Sequence, residues 1–145
     1  MYRYNCNELQ QDVEHLYRQL HTHRFDTVVA LARGGTMIAQ LLAYRLNIRD
    51  LQLIRVQNYD NDKKKGISIQ GTLDIAEDAR ILLVDDIIDS GESMHALLDY
   101  LKERHKNASF SIATVYYKKS ATIQPDFTCK EATEWIDFFW EREDR

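Results

Sequence analysis

Hydrophobic residues along the chain fall into short runs rich in β-branched side chains and into longer segments with helical spacing. The short runs predict buried strands, because they are too short for independent helices. They cover residues 27–31, 51–56, 81–84 and 110–116. Apolar residues recur at spacings of three and four in residues 5–23, and again after residues 36 and 93, which predicts amphipathic helices. This alternation predicts an α/β fold with a central, mainly parallel sheet flanked by helices, whose ligands bind at the carboxyl ends of the strands.

The amino-acid composition is consistent with this fold and argues against several classes of function. The chain has 145 residues, 44% of them hydrophobic and 29% charged, which is typical of a single globular domain over residues 1–145. The net charge of −4 argues against broad nucleic-acid or membrane-surface binding. No run approaches the roughly 18 apolar residues of a membrane span, and no basic leader precedes an apolar segment. Cys6 and Cys129 are expected to be free thiols, so we expect a cytoplasmic protein without integral membrane contact.

The strand predicted at residues 81–84 ends in two adjacent carboxylates, Asp85 and Asp86, and a polar turn leads from there into a helix. The first N–H groups of a helix lack intrahelical partners, and the helix dipole adds partial positive charge, so this turn can bind a phosphate. Ser90 and Ser93 add hydroxyl donors. Because the two carboxylates would oppose a bare phosphate, we expect the ligand also to carry hydroxyl groups or a metal ion. A sugar phosphate meets both requirements.

Three alternative interpretations fit this turn less well than a sugar phosphate site does. A plain helix N-cap explains Ser93, but it does not explain three carboxylates within five residues. A phosphorylated receiver domain carries a similar run near its start, whereas only about sixty residues follow it here. A P-loop would require Gly-Lys-Ser/Thr where the helix begins, and this turn contains no lysine.

A second turn, Arg33-Gly34-Gly35, follows the strand predicted at residues 27–31. Two glycines allow backbone N–H groups to approach a ligand closely, and the arginine can form paired hydrogen bonds with phosphate oxygens. Taken alone, the segment could also be a plain turn with a surface arginine. Together, the two turns are a far more specific signal of anion binding than either turn alone.

Residues 84–91, Val-Asp-Asp-Ile-Ile-Asp-Ser-Gly, closely resemble the signature of the type I phosphoribosyltransferases, which bind phosphoribosyl pyrophosphate (PRPP). The resemblance implies a Rossmann-like fold and a phosphoribosyl site formed by Asp85, Asp86, Ile87, Ile88, Asp89, Ser90, Gly91, Glu92 and Ser93. It also implies that Arg33, Gly34 and Gly35 bind the pyrophosphate, next to a strained or cis peptide. Glu92 stands where many members have a second glycine, so its side chain is expected to point to solvent.

The polar segment at residues 58–70 lacks a hydrophobic period and is predicted to be a mobile active-site loop. In the resembled family a Ser-Tyr-like pair in such a loop closes over the active site and excludes water. Asn58 and Tyr59 occupy that place here. A solvated lysine-rich loop is the alternative interpretation.

The aromatic segment at residues 134–141 would, taken alone, be core or a dimer surface. The 6-oxopurine branch of the family, which includes bacterial xanthine-guanine phosphoribosyltransferases, ends in a similar Trp-Ile-acid segment. The resemblance implies a small C-terminal hood over residues 127–145 that binds the purine. Trp135 would stack on the base, Ile136 would contact its edge through the backbone, and Glu141 would join Asp85 and Asp86 in holding Mg²⁺.

The resemblance also bears on the base, because Asp89 occupies a position where the 6-oxopurine enzymes carry aspartate. There it would bind N7 and act as the catalytic proton acceptor. Lys118 would donate to O6 and reject adenine, whose amino group is itself a donor. The implied activity is Mg²⁺-dependent transfer of phosphoribosyl from PRPP to guanine, xanthine or hypoxanthine by a homodimer or homotetramer. A regulator that binds RNA or nucleotides, retaining the PRPP motif with weak or no catalysis, is the second hypothesis.

Overall fold

The computed structural model describes residues 1–61 and 64–142. The helices are α1 (Cys6–Leu20), α2 (Thr36–Arg45) and α3 (Glu92–Arg104), with a 3-10 turn at Phe139–Glu141. The strands are β1 (Tyr2–Tyr4), β2 (Thr27–Ala32), β3 (Leu51–Asn61), β4 (Lys64–Gln70), β5 (Arg80–Ile88), β6 (Ser109–Tyr117), β7 (Phe127–Glu131) and β8 (Ile136–Phe138). Among the described residues, none of the helices is long and apolar enough to cross a membrane.

The central sheet has the strand order β4-β3-β2-β5-β6-β7, and every neighbouring pair in it is parallel except β3 and β4. The predicted α/β architecture is therefore confirmed, and each of the four predicted strands is present. A second, two-stranded parallel sheet pairs β1 with β8. The two ends of the chain thus meet beside the central sheet.

Alternate residues of β2 pack on opposite faces of the central sheet, as the period of two in a strand requires. Val28 and Ala30 join the core that contains residues of α1 and α2. Val29 and Leu31 join the core beneath α3. Burial on both faces explains why the parallel strands are nearly continuous apolar runs.

Helix α1 begins where its sequence provides a capping box. The Glu8 amide donates to the Asn5 side chain at 2.9 Å, and the Asn5 amide donates back to the Glu8 carboxylate at 3.1 Å. These bonds satisfy two donors that the first helical turn would otherwise leave without partners.

The prediction of an irregular segment at residues 58–70 is wrong for the residues that the structure describes. Residues 58–61 extend β3, and residues 64–70 form β4, with Tyr59 opposite Gly66 in an antiparallel pair. An edge hairpin is held by backbone hydrogen bonds, so it forms without a continuous hydrophobic period. The alternation of Ile67 and Ile69 with polar residues was the available signal for a strand. Residues 62 and 63 lie outside the described residues, and mobility of the segment stays a prediction.

Candidate active site

The two predicted anion-binding turns pack directly against each other at the carboxyl edge of the central sheet. A Cβ atom at Gly35 would collide with the carbonyl oxygen of Val84 and lie 2.9 Å from Cα of Asp85. A Cβ at Gly34 would collide with the carboxylate of Asp86. Only glycine leaves room for this approach, so the two turns form one site. The peptide between Ala32 and Arg33 is cis, which confirms the cis peptide expected beside Arg33.

The acidic turn is organised by its own backbone. Strand β5 does not end before the carboxylates, as the sequence pattern suggested, but continues to Ile88 by pairing with β6. The Asp86 amide donates to Oδ1 of Asp85 at 2.8 Å, and the Ile87 amide donates to Oδ1 of Asp86 at 2.7 Å. These local bonds fix both carboxylates at the edge of the sheet.

Helix α3 begins immediately after this turn, with Gly91 in the left-handed region at a φ of 90°. A Cβ there would lie 2.8 Å from Oγ1 of Thr122, so both the conformation and the space favour glycine. The amide of Glu92 donates to Oγ of Ser90 at 3.2 Å, and the Glu92 side chain is exposed. Oγ of Ser93 lies 3.5 Å from Oδ1 of Asn58, which brings the β3–β4 hairpin next to the proposed phosphate site.

The carboxylates at this edge perturb one another. Burial raises the pKa of Asp85 well above its usual range, and the neighbouring charge of Asp86 adds to the effect. Burial also raises the pKa of Asp86, although hydrogen bonds from its surroundings oppose the shift. Glu141 has a raised pKa because of desolvation and the charge of Asp86, while Arg33 acts in the opposite direction. The structure therefore brings together Asp85, Asp86, Glu141 and Arg33, and a bound cation would relieve the excess negative charge.

The geometry gives less support for a metal site than for the two anion-binding turns. In residues 1–61 and 64–142, no group of three or more His, Cys, Asp or Glu side chains is arranged to hold a metal ion. A magnesium ion commonly uses one or two carboxylates and completes its coordination with substrate phosphates and water. The donors present are compatible with that mode, and the metal roles of Asp85, Asp86 and Glu141 stay predictions.

The proposed base-recognition pair comes together across two strand ends. Lys118 follows β6, and its Nζ lies 2.7 Å from Oδ1 of the exposed Asp89. The amide of Lys118 donates to the carbonyl of Ile88 at 3.0 Å, which continues the β5–β6 pairing up to the site. This geometry places a cation and a proton acceptor side by side next to the acidic turn.

Residues 127–131 of the predicted hood form β7 at the edge of the central sheet, so the hood proper begins at residue 132, and β8 within it pairs with the N-terminal strand β1. Ile136 is buried in β8, whereas Trp135 is 71% exposed. The amide of Tyr2 donates to the carbonyl of Trp135 at 2.8 Å. An exposed indole is available for stacking, but the contacts of Trp135 and Ile136 with a purine stay predictions. Residues 143–145 of the predicted hood lie outside the described residues.

A buried polar cluster behind the hood was missed by sequence reasoning. The hydroxyl of Tyr4 donates to Oδ2 of Asp12 at 2.6 Å, and Nζ of Lys130 lies 3.0 Å from the same oxygen. The available signal was Asp12, a charged residue on the apolar face of α1 between Leu9 and Leu16. Its partners could not be identified from a pattern, because they come from distant segments.

Comparisons with known proteins agree with this geometry. A family model described as a phosphoribosyl transferase domain matches residues 4–144. Xanthine-guanine phosphoribosyltransferase of Chromohalobacter salexigens is 31% identical over 137 residues, which cover 93% of this chain and 80% of that protein. The structure of Helicobacter pylori xanthine-guanine-hypoxanthine phosphoribosyltransferase is similar with a TM-score of 0.90 and 31% identity, covering 97% of this chain and 93% of that one. Purine phosphoribosyltransferase from Pyrococcus horikoshii has a TM-score of 0.85 and 25% identity, covering 99% and 95% of the two chains.

Proposed function

This chain belongs to the phosphoribosyltransferase family, and we propose that it transfers 5-phosphoribosyl from PRPP to N9 of a 6-oxopurine. The products would be a nucleoside 5′-monophosphate and pyrophosphate, and the base would be guanine, xanthine or hypoxanthine. The observation that carries this proposal is the convergence of two anion-binding turns and the Asp89–Lys118 pair at one sheet edge. The names of similar proteins, which specify xanthine, guanine and hypoxanthine, support the same class of base.

The sugar phosphate would lie across the two turns. Arg33 and the N–H groups of Gly34 and Gly35 would hold the pyrophosphate, and the start of α3 with Ser90 and Ser93 would hold the 5′-phosphate. Such binding orients C1 of the ribose toward the base, and this orientation lowers the barrier without a covalent intermediate. The packing of Gly35 against Val84 supports this arrangement, because it sets the distance between the two phosphate sites.

The carboxylates of Asp85 and Asp86 would bind the ribose hydroxyls and, with Glu141, the magnesium ion. Burial raises the pKa of all three carboxyl groups, and a neighbouring carboxylate adds to the rise at Asp85 and Glu141, so a divalent cation would stabilise their charged forms. When bound, the metal supplies positive charge that neutralises the leaving pyrophosphate. The chain's own contribution is to hold the sugar hydroxyls with Asp85 and Asp86 and to add the charge of Arg33.

Base selection would rest on Asp89 and Lys118. A 6-oxopurine offers an acceptor at O6, which suits the ammonium of Lys118, whereas adenine offers an amino donor there. Asp89 would accept a hydrogen bond from N7–H and take up that proton as N9 becomes the nucleophile. Nζ of Lys118 and Oδ1 of Asp89 are 2.7 Å apart. A base bound there would contact both groups and would replace part of their ion pair.

A homo-oligomer and a cytoplasmic location are further parts of the proposal. The α2 residues Met37, Leu41 and Tyr44 are exposed and recur at spacings of four and three, which supports self-association through one helix face. Cys6 and Cys129 are free, which suits a reducing compartment. Light scattering after gel filtration measures the oligomeric state.

The deciding experiment measures pyrophosphate release from PRPP with guanine, hypoxanthine, xanthine, adenine and orotate offered separately, with Mg²⁺ and with EDTA. Turnover of one or more 6-oxopurines, with none for adenine, supports the proposed function. Loss of that turnover in EDTA supports the metal requirement. PRPP binding without turnover of any base would instead favour the regulator, which predicts salt-dependent RNA association.

A further inference from the structure

Tyr4 lies at the junction of the hood, helix α1 and the central sheet. Its side chain is fully buried, with 0% of its surface exposed. The ring makes edge-to-face contacts with Tyr116 of β6 at 5.8 Å, Phe138 of β8 at 5.4 Å and Trp140 at 5.8 Å. Aromatic pairs in this geometry stabilise a defined relative orientation as well as burying area. A single residue thus contacts both sheets.

Strand β1, which carries Tyr4, is the strand to which the purine-facing segment is hydrogen-bonded. In the parallel pair, Tyr2 lies opposite Ile136 and Tyr4 lies opposite Phe138. Among the described residues, this two-stranded sheet is separate from the six-stranded sheet. Backbone bonds bring the segment near Lys118, since Glu131 pairs with Tyr117 and the Ala132 amide donates to the Tyr117 carbonyl at 2.8 Å. Side-chain contacts of Tyr4 then hold β1 and β8 against the central sheet.

One of these side-chain contacts is polar and joins Tyr4 to the buried Asp12. Asp12 is 8% exposed, and its Oδ2 accepts from the hydroxyl of Tyr4 at 2.6 Å and lies 3.0 Å from Nζ of Lys130. Lys130 belongs to β7, and its ammonium lies 5.4 Å from the ring centroids of both Tyr4 and Tyr116. A hydrogen bond to a buried carboxylate is directional, so the Tyr4 hydroxyl ties β1 to α1, and the partly exposed Lys130 of β7 binds the same carboxylate.

We propose that Tyr4 is a positioning residue for the purine base, acting through β8 to set the distance from Trp135 and Ile136 to the Asp89–Lys118 pair. The inference rests on the proposed function, because it concerns the base subsite of that reaction. A displacement of the hood by a fraction of an ångström weakens base binding, since stacking and edge contacts are short-range. The sugar phosphate turns follow β2 and β5 of the central sheet, whereas the Tyr4 hydroxyl is bonded to Asp12 of α1, so loss of that hydroxyl should leave the turns in place.

The test is the variant Tyr4→Phe, which keeps the ring and removes only the hydroxyl. We expect the KM for the 6-oxopurine to rise about fivefold, with kcat and the KM for PRPP changed by less than about twofold. Lys130→Met should act in the same direction, and Lys130→Arg should retain most of the wild-type KM because it keeps the charge.

Two controls separate positioning from a general loss of stability. Tyr100→Phe removes a hydroxyl from a tyrosine of α3 that packs against the other core, beneath Arg104, and it should leave both KM values unchanged. Ile112→Val lowers stability in the other core, beneath α3, without touching the hood. If Ile112→Val raises the purine KM as much as Tyr4→Phe does, the effect is one of stability and the inference is overturned.

A double variant tests whether Tyr4 acts through the hood. Trp135→Ala should raise the purine KM, and adding Tyr4→Phe to it should raise that KM little further, because the contact being positioned is already gone. If Trp135→Ala and Tyr4→Phe instead raise the purine KM independently, so that their factors multiply in the double variant, the inference is overturned. An unchanged purine KM in Trp135→Ala would also overturn it while leaving the transfer activity intact, whereas an unmodified protein that turns over no base would overturn the proposed function and the inference with it.

Discussion

The sugar phosphate turns and the hood are built in opposite ways. The turns use bonds between adjacent residues, such as the Asp86 amide donating to Asp85 at 2.8 Å, and contacts between neighbouring strands. The hood instead joins the two ends of the chain, as when the Arg142 guanidinium donates to the carbonyl of Tyr4 across 138 positions of sequence. A short motif therefore predicts the first region, whereas the second depends on how the whole chain closes.

The difference has a functional consequence. The turn region would bind PRPP, and its geometry is set by Gly34 and Gly35, where a side chain would collide with the facing turn. The hood region would bind the base, apart from Glu141, which lies near Asp86 at the turns, and its position depends on packing between separate sheets. Substitutions in the two regions should therefore separate sugar phosphate binding from base binding.

The largest expected effect is at Asp89, between the two regions. Asp89→Asn should lower kcat about 10²- to 10⁴-fold, because an amide cannot accept the base proton, while the Kd for PRPP stays within about threefold. Steady-state kinetics and calorimetric PRPP titration measure the two quantities. Asp99→Asn is the matched control on the exposed face of α3, where Asp99 pairs with His95 at 3.6 Å. Unchanged turnover in Asp89→Asn would remove Asp89 from catalysis.

Lys118→Ala tests the base side alone. Loss of a charged donor to O6 should raise the KM for the 6-oxopurine about 10- to 100-fold, with PRPP binding retained. Lys119→Ala is the control, since the adjacent Lys119 pairs with Glu131 at 3.3 Å and points its charge elsewhere. An equal loss of purine and PRPP binding would contradict a role confined to the base and would indicate misfolding.

Gly35→Ala tests the sugar phosphate side. The added methyl group would collide with backbone atoms of Val84 and Asp85, so we expect a stability loss of about 1–3 kcal/mol together with weaker PRPP binding. Gly71→Ala controls for backbone strain, because its φ is 115° but the nearest atom to a new Cβ lies 3.8 Å away. The thermal midpoint and the Kd for PRPP measure the outcomes. PRPP affinity that falls equally in both variants would show that close packing of the turns is not the cause.

The smallest effect concerns a thiol next to the polar cluster behind the hood. Burial raises the pKa of Cys129 to about 12, and its Sγ donates to the carbonyl of Asp12 at 3.5 Å. The Cys129 thiol has a higher pKa in the folded protein than in the unfolded chain. Its contribution to the free energy of unfolding is therefore fully present below the unfolded pKa, and it is lost as the pH rises toward the folded pKa of about 12.

Labelling with iodoacetamide at pH 8 measures this protection. The exposed Cys6 should react in the native protein, and Cys129 should react only after unfolding, since the thiolate is the reactive form. Cys6→Ser leaves Cys129 as the single thiol and makes its rate directly readable. Rapid labelling of Cys129 in native Cys6→Ser would contradict close packing behind the hood.

The pattern of apolar positions predicted the mainly parallel sheet, four of its six strands and the helices that cover it, because period and strand length are local properties. The sequence pattern wrongly predicted an irregular segment where the structure has the β3–β4 hairpin. Backbone hydrogen bonds between the two edge strands stabilise this hairpin although many of its side chains are polar. The candidate residues Arg33, Asp85, Asp86, Asp89 and Lys118 were found from two motifs and a resemblance, and the structure brings them to one edge.

By itself, the sequence determined which segments become buried strands and where their polar carboxyl ends occur, since each of these features depends on residues within a few positions of one another. Only the tertiary structure decided that β1 pairs with β8, that Gly34 meets Asp86, and that Tyr4, Asp12 and Lys130 share one buried cluster. These contacts join distant segments, and their free energy depends on simultaneous burial in a closed fold. A local sequence pattern therefore cannot predict these contacts.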